Sequence, residues 1–105
     1  MAKKLDPIPP GEILLEEYMK SLGVNQRQLA SDLDIPISRV SDIVRGKRGI
    51  TADTALRLGT YFGTKPEFWL NLQATYDLQV AQDADWQRIK ARIRPLDLST
   101  GGAIA

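Results

Sequence analysis

"LDIPISRVSDIVRGKRGITADTAL", residues 33–56, carries three helix-boundary signals and four cationic side chains in two dozen positions. Asp34 sits where a turn is needed, and aspartate tolerates a left-handed backbone better than most residues. Pro36 opens a short helix at a position where its missing N–H costs nothing. Val40, Ile43 and Val44 fall on one stripe of that helix and are its expected buried face. Gly46 ends it, Lys47-Arg48-Gly49 forms a basic loop, and Thr51 caps the next helix. Positions 36–48 hold Arg39, Arg45, Lys47 and Arg48 against Asp42 alone. A half-polar helix bordered by cations is either a solvated surface or a surface built for a polyanion.

Upstream, Pro9-Pro10-Gly11 closes an extended leader. A helix is predicted from about Gly11 to Leu22, with Leu14, Tyr18 and Leu22 on one stripe, Leu15 and Met19 beside them, and Gly23 as its stop. Glu12, Glu16 and Glu17 crowd its first half, as the helix dipole prefers. Asn25 caps a second helix over Gln26–Leu33, with Gln28 completing a capping-box pattern and Leu29, Ala30 and Leu33 facing inward. Downstream, a fourth helix to about Phe62 buries Ala55, Leu56, Gly59 and Phe62. Thr64-Lys65-Pro66-Glu67 then reads as cap, first-turn proline and N3 glutamate. The fifth helix carries Phe68, Trp69, Leu70, Leu72, Tyr76, Leu78 and Val80, more apolar surface than one inward stripe needs. Asp83 or Asp85 starts a last helix with Trp86, Ile89 and Ile93 before Pro95. No strand pattern or internal repeat is visible. The expectation is an all-α chain: an extended leader over 1–10, a helical domain over 11–81, and a C-terminal helix with a flexible tail over 82–105.

Composition narrows the chemistry. The chain has 105 residues, 43% of them hydrophobic, which suits one globular core. It contains no cysteine and no histidine. Disulfides, thiolate metal sites, the commonest zinc ligands and the usual neutral-pH general base are therefore not available. Neighbouring carboxylates such as Glu16/Glu17 and Asp83/Asp85 point apart on a helix and suit dipole and capping roles rather than an acid–base pair. "RGKRG" lacks the spacing and the preceding strand of a nucleotide-phosphate loop. No enzyme, cofactor or metal is expected. The N-terminus has no apolar stretch of a secretory signal and no run approaches membrane-spanning length, so a cytoplasmic protein with no membrane contact is expected.

Two short helices joined by a tight turn, the second amphipathic and followed by a basic loop, describe a helix-turn-helix. The second helix must carry side chains able to touch base edges in its leading turns. Those are Ile37, Ser38, Arg39, Ser41 and Asp42: Arg39 forks onto guanine, the serines donate or accept, Ile37 suits a thymine methyl, and Asp42 accepts from cytosine. Lys47 and Arg48 read as phosphate clamps, which position without specifying, and Gln26 and Arg27 are placed to reach the same backbone. For each the alternative is a solvent-facing helix residue.

The stretches "PIPPGEILLEEYM", "VNQRQLASDLDIP", "SRVSDIVRGKRGITADTALRLGTYFGT" and "PEFWLNLQATYDL", spanning roughly residues 5 to 80, resemble the HigA family of antitoxins, also labelled VapI-like, within the Xre/Cro-type repressor superfamily. The resemblance implies a five-helix, lambda-repressor-like helix-turn-helix domain plus a C-terminal helix. It implies an antitoxin of a type II toxin–antitoxin pair that binds its own operator DNA as a dimer and neutralises a HigB-like mRNA-cleaving toxin. On the superfamily pattern Gln26 corresponds to the backbone-contacting glutamine, and Ile37, Ser38 and Asp42 to positions that read bases. Two positions depart from it: Pro36 stands where Ser or Thr often caps the recognition helix, and Asp34 where a turn glycine is usual. A stand-alone repressor of the same fold, and an interaction module that no longer binds DNA, are the alternatives.

The surplus apolar surface of the fifth helix either closes the core or supplies a two-fold contact through Trp69, Leu72, Tyr76 and Val80. A lone reading head makes few contacts, so a homodimer is expected. Arg88, Lys90, Arg92 and Arg94 form a second basic stretch, either a solvated helix face or a contact with DNA or toxin.

Overall fold

A computed structural model describes residues 6–97. Among these there are six helices and no strand. Helix α1 begins as α-helix over Pro10–Ile13, widens to a π-helix over Leu14–Met19 and returns to α over Lys20–Leu22. The others are α2 (Gln26–Leu33), α3 (Ile37–Val44), α4 (Ala52–Phe62), α5 (Pro66–Ala84) and α6 (Trp86–Lys90).

The widened turn of α1 corrects its expected stripe. The Lys20 N–H donates to the Leu15 carbonyl, five residues back. This opening brings Leu14 and Met19 onto one face, where both are buried, and rotates Leu22 out to 62% exposure. Gly23 then ends the helix in the left-handed region, at φ 70°.

The middle of the chain follows its local signals closely. Asn25 Oδ1 accepts from the Gln28 N–H at 2.8 Å, and Leu29, Ala30 and Leu33 are buried as the periodicity requires. Asp34 adopts φ 59°, ψ 48°, so the turn closes without glycine. Pro36 lies one residue before α3 with an extended backbone, and Val40 and Ile43 are buried while Val44 is half-buried.

In α4 the buried set is Thr54, Ala55, Leu58 and Gly59. Leu56, expected inside, is 58% exposed. Residues 55, 58, 59 and 62 share a helical face, and Leu56 lies about 100° from Ala55. The start of α5 also differs from expectation: Lys65, not Thr64, is its N-cap. The Thr64 hydroxyl instead accepts from Trp69 Nε1 at 2.8 Å, satisfying an indole N–H that the core would otherwise orphan.

Trp69 is fully buried and lies against Tyr18, Phe62 and Phe68, with ring centroids 4.9, 6.2 and 5.0 Å away. The core therefore sits where α1, α4 and the first turns of α5 meet, with α2 and α3 closing it from the other side through Leu29, Leu33, Val40 and Ile43. Beyond Asp77 most of α5 is exposed. The boundary expected after residue 81 falls inside this helix, which breaks at Asp85. The stripe expected of the last helix does not pack on the core: Trp86 is half-buried, and Ile89 and Ile93 are exposed. The tail over 98–105 and the leader residues 1–5 lie outside the described residues. Among the described residues no helix is long and apolar enough to cross a membrane.

Candidate nucleic-acid interface

Helices α2 and α3 pack together across the Asp34 turn, and a side-chain bond ties the start of α2 to the middle of α3. Ser41 Oγ donates to Gln26 Oε1 at 2.7 Å. This bond uses the amide's acceptor and leaves its NH₂ as the outward donor, the polarity a phosphate oxygen requires. Ser41, expected to read bases, is thus a half-buried orienting group for Gln26.

Arg39 also differs from expectation. Its Nη2 donates to Asp53 Oδ2 at 3.0 Å, and its Nε is buried with no hydrogen-bond partner among the described residues. The same Asp53 oxygen accepts from Arg57 Nε at 2.9 Å. Arg57 in turn donates through Nη1 to the carbonyls of Leu33 at 2.6 Å and Asp34 at 3.3 Å. One carboxylate thus joins α3, α4 and the turn between α2 and α3. The Arg57 hydrogen bond holds the Asp53 carboxyl below the usual carboxylate range, with the charges of Arg57 and Arg39 adding to the effect and desolvation opposing it. Arg39 lies on the flank of α3 that faces α4, so its guanidinium is drawn to Asp53 rather than projected outward.

Asp42 is half-buried and lies 4.0 Å from Arg48 Nη2. Its carbonyl accepts from the backbone N–H groups of Lys47 at 2.8 Å and Arg48 at 3.2 Å, which folds the basic loop back over the end of α3. Ile37, at 47% exposure, and Ser38 remain open to solvent, as do Arg27, Lys47 and Arg48.

Arg45 is the residue missed in the sequence reading. It is exposed and is the C-cap of α3, seven positions after the exposed Ser38. The sequence reading counted Arg45 among the cations of 36–48 but gave it no contact of its own. Ile37, Ser38 and Arg45 are thus exposed along and just after α3, as are the cations Arg27, Lys47 and Arg48.

The expected dimer residues separate. Trp69 is core and unavailable to a partner. Leu72 and Tyr76 line a groove with Ile8, Ile13 and Phe68, between the leader, α1 and α5. Val80 is exposed further along α5. In the second basic stretch Arg88 forms an ion pair with Asp85, and Lys90, Arg92 and Arg94 are exposed.

Comparison with known proteins agrees with this geometry. The helix-turn-helix family matches residues 15–69. Virulence-associated protein I of Dichelobacter nodosus is 52% identical over 79 residues, covering 75% of this chain and 73% of that protein. The structure of an addiction module antidote protein of a HigA family from Coxiella burnetii is 49% identical, covers 88% of this chain and 100% of its own, and superposes with a TM-score of 0.82. Pseudomonas aeruginosa antitoxin HigA, solved with the higBA promoter, is 45% identical, covers 87% of this chain and 99% of its own, and also superposes with a TM-score of 0.82. The chain belongs to the helix-turn-helix family and, within it, to the HigA-type antitoxins.

Proposed function

We propose that the protein binds its own operator as a homodimer, placing α3 in the major groove, and that it neutralises a HigB-like mRNA-cleaving toxin encoded beside it. The observation that carries the DNA reading is the exposed face of α3. Ile37 and Ser38 stand at its leading edge and Arg45 at its far end, with cations on both sides. Side chains at the leading edge meet base edges, while Arg27, Arg45, Lys47, Arg48 and the Gln26 amide hold phosphates. The HigA neighbour solved with a promoter supports the DNA-binding reading. Two copies double the phosphate contacts, so affinity falls steeply with salt. The half-buried Leu72 and Tyr76 and the exposed Val80 leave apolar surface along α5 that favours the dimer.

The test is a fluorescence anisotropy titration of the protein on its own upstream DNA and on an unrelated duplex, at two salt concentrations. Preferential binding to the upstream DNA supports operator recognition. Equal binding to both duplexes refutes it. Co-expression with the adjacent reading frame separates an antitoxin, which co-purifies with a small basic protein and suppresses its growth arrest, from a stand-alone repressor, which does neither.

A further inference from the structure

We propose that Gln73, on α5 and outside the helix-turn-helix, is a positioning residue for the phosphate-gripping loop. The inference rests on the DNA-binding reading above. The loop that carries Lys47 and Arg48 is tied at two places. At its front the two N–H groups bond to the Asp42 carbonyl. At its rear the Ile50 N–H donates to Gln73 Oε1 at 2.7 Å. Gln73 is itself held, because its Nε2 donates to Asp77 Oδ1 at 2.9 Å, one helical turn along α5. Both ends of the amide are therefore engaged, which sets its orientation.

Gly49 makes this possible. A Cβ there would lie 3.0 Å from Gln73 Cδ and 3.1 Å from its amide nitrogen and oxygen, so the amide lies flat against a bare backbone. Ile50 buries its side chain directly after Gly49, and Thr51 caps α4. Without the Gln73 acceptor, the Ile50 N–H loses a part-buried partner, and the segment between Gly46 and Ile50 loses its rear tether. Lys47 and Arg48 are exposed side chains on that segment, so their reach toward a phosphate rail depends on where its backbone lies. A cation whose base is loose loses more freedom on binding and contributes less. Gln73 also sits beside Leu72 on the helix that carries the apolar groove, so the loop is referenced to the rigid body of the protein rather than to α3 alone.

The experiment uses the full chain with Gln73→Met, which keeps length and helix propensity but removes acceptor and donor, and Gly49→Ala, whose new methyl, 3.0–3.1 Å from the amide, pushes it off its position while leaving its chemistry intact. Operator affinity is measured across a salt series, with a thermal melt of each variant to confirm folding. Both variants are expected to bind about tenfold more weakly at moderate salt and to shallow the slope of log affinity against log salt by about one to two per protomer. Gln73→Met should add nothing further in a Lys47→Ala/Arg48→Ala background. Weakening with the parent's salt slope, or an undiminished effect in that background, overturns the inference while leaving the DNA reading intact. A parent protein that binds no duplex at either salt overturns both.

Discussion

Arg39 on α3 and Asp53 on α4 are joined by a 3.0 Å ion pair, and the same carboxylate oxygen also receives Arg57. This relationship draws Arg39, one of the base-reading candidates of the sequence, into a network that ties α3 to α4. Arg39→Ala and Asp53→Ala are therefore expected to weaken operator binding to a similar degree, with the double variant little worse than either. The order of preference among operator variants should stay unchanged, as a panel of single-base-substituted duplexes will show. A changed preference at one base step in Arg39→Ala alone would restore it to the reading face.

The same network has a pH signature. The Asp53 carboxyl is held below its ordinary value of 3.8, so its ionised form stabilises the fold above that value and the contribution is lost as pH falls through the lowered one. Asp53→Asn should melt below the parent at pH 7 by the same margin as at pH 5. The gap should close only under acid conditions beneath the ordinary carboxylate range, in melts recorded across pH.

Gly11 packs directly on the recognition helix. A Cβ there would meet the Ile43 carbonyl oxygen at 1.8 Å and its carbon at 2.7 Å. Backbone cannot yield as a flexible side chain does, so Gly11→Ala should destabilise by about 3 kcal/mol or more in urea denaturation. Operator affinity should fall as well, because the clash displaces the end of α3.

Trp69 and Val80 lie on the same helix with opposite roles. Trp69→Ala removes the centre of the aromatic core and should cost about 3–5 kcal/mol of stability. Val80→Glu, on the exposed part of α5, should leave the monomer's melting nearly unchanged but shift sedimentation toward the monomer. A variant that sediments like the parent would place the two-fold contact elsewhere.

On α3, the exposed positions should divide by kind of contact. Arg45→Ala should weaken all duplexes alike and shallow the salt slope by about one, whereas Ser38→Ala should change which operator variants bind best, by about 1–3 kcal/mol at one base pair. Competition binding over a duplex panel distinguishes the two.

Much of the architecture was legible in the residues because it is encoded within one or two turns of chain. Asn25 caps α2, Asp34 takes the left-handed turn, Gly23 and Gly63 end their helices, and Leu29, Ala30, Leu33, Val40 and Ile43 repeat at helical spacing. Such signals act between near neighbours, and no distant partner competes for those groups. The helix-turn-helix and its basic border followed from them.

What only the tertiary structure decided are the choices made by groups with more than one available partner. Thr64 could have capped α5, yet the burial of Trp69 in the tertiary core claims its hydroxyl, although the two residues are only five apart in the chain. Arg39 and Ser41 occupy the expected helix positions, but Asp53 is fourteen residues from Arg39 and Gln26 fifteen from Ser41 in the chain, and folding brings both within hydrogen-bond distance. The π-turn in α1 shifted Leu22 outward, a phase change that an even 3.6-residue repeat does not foresee. Local sequence determined which segments are helical and where they stop. Long-range packing decided which polar side chains are free to meet a ligand, because a charged or hydroxyl group near a complementary protein atom is already satisfied before any partner arrives.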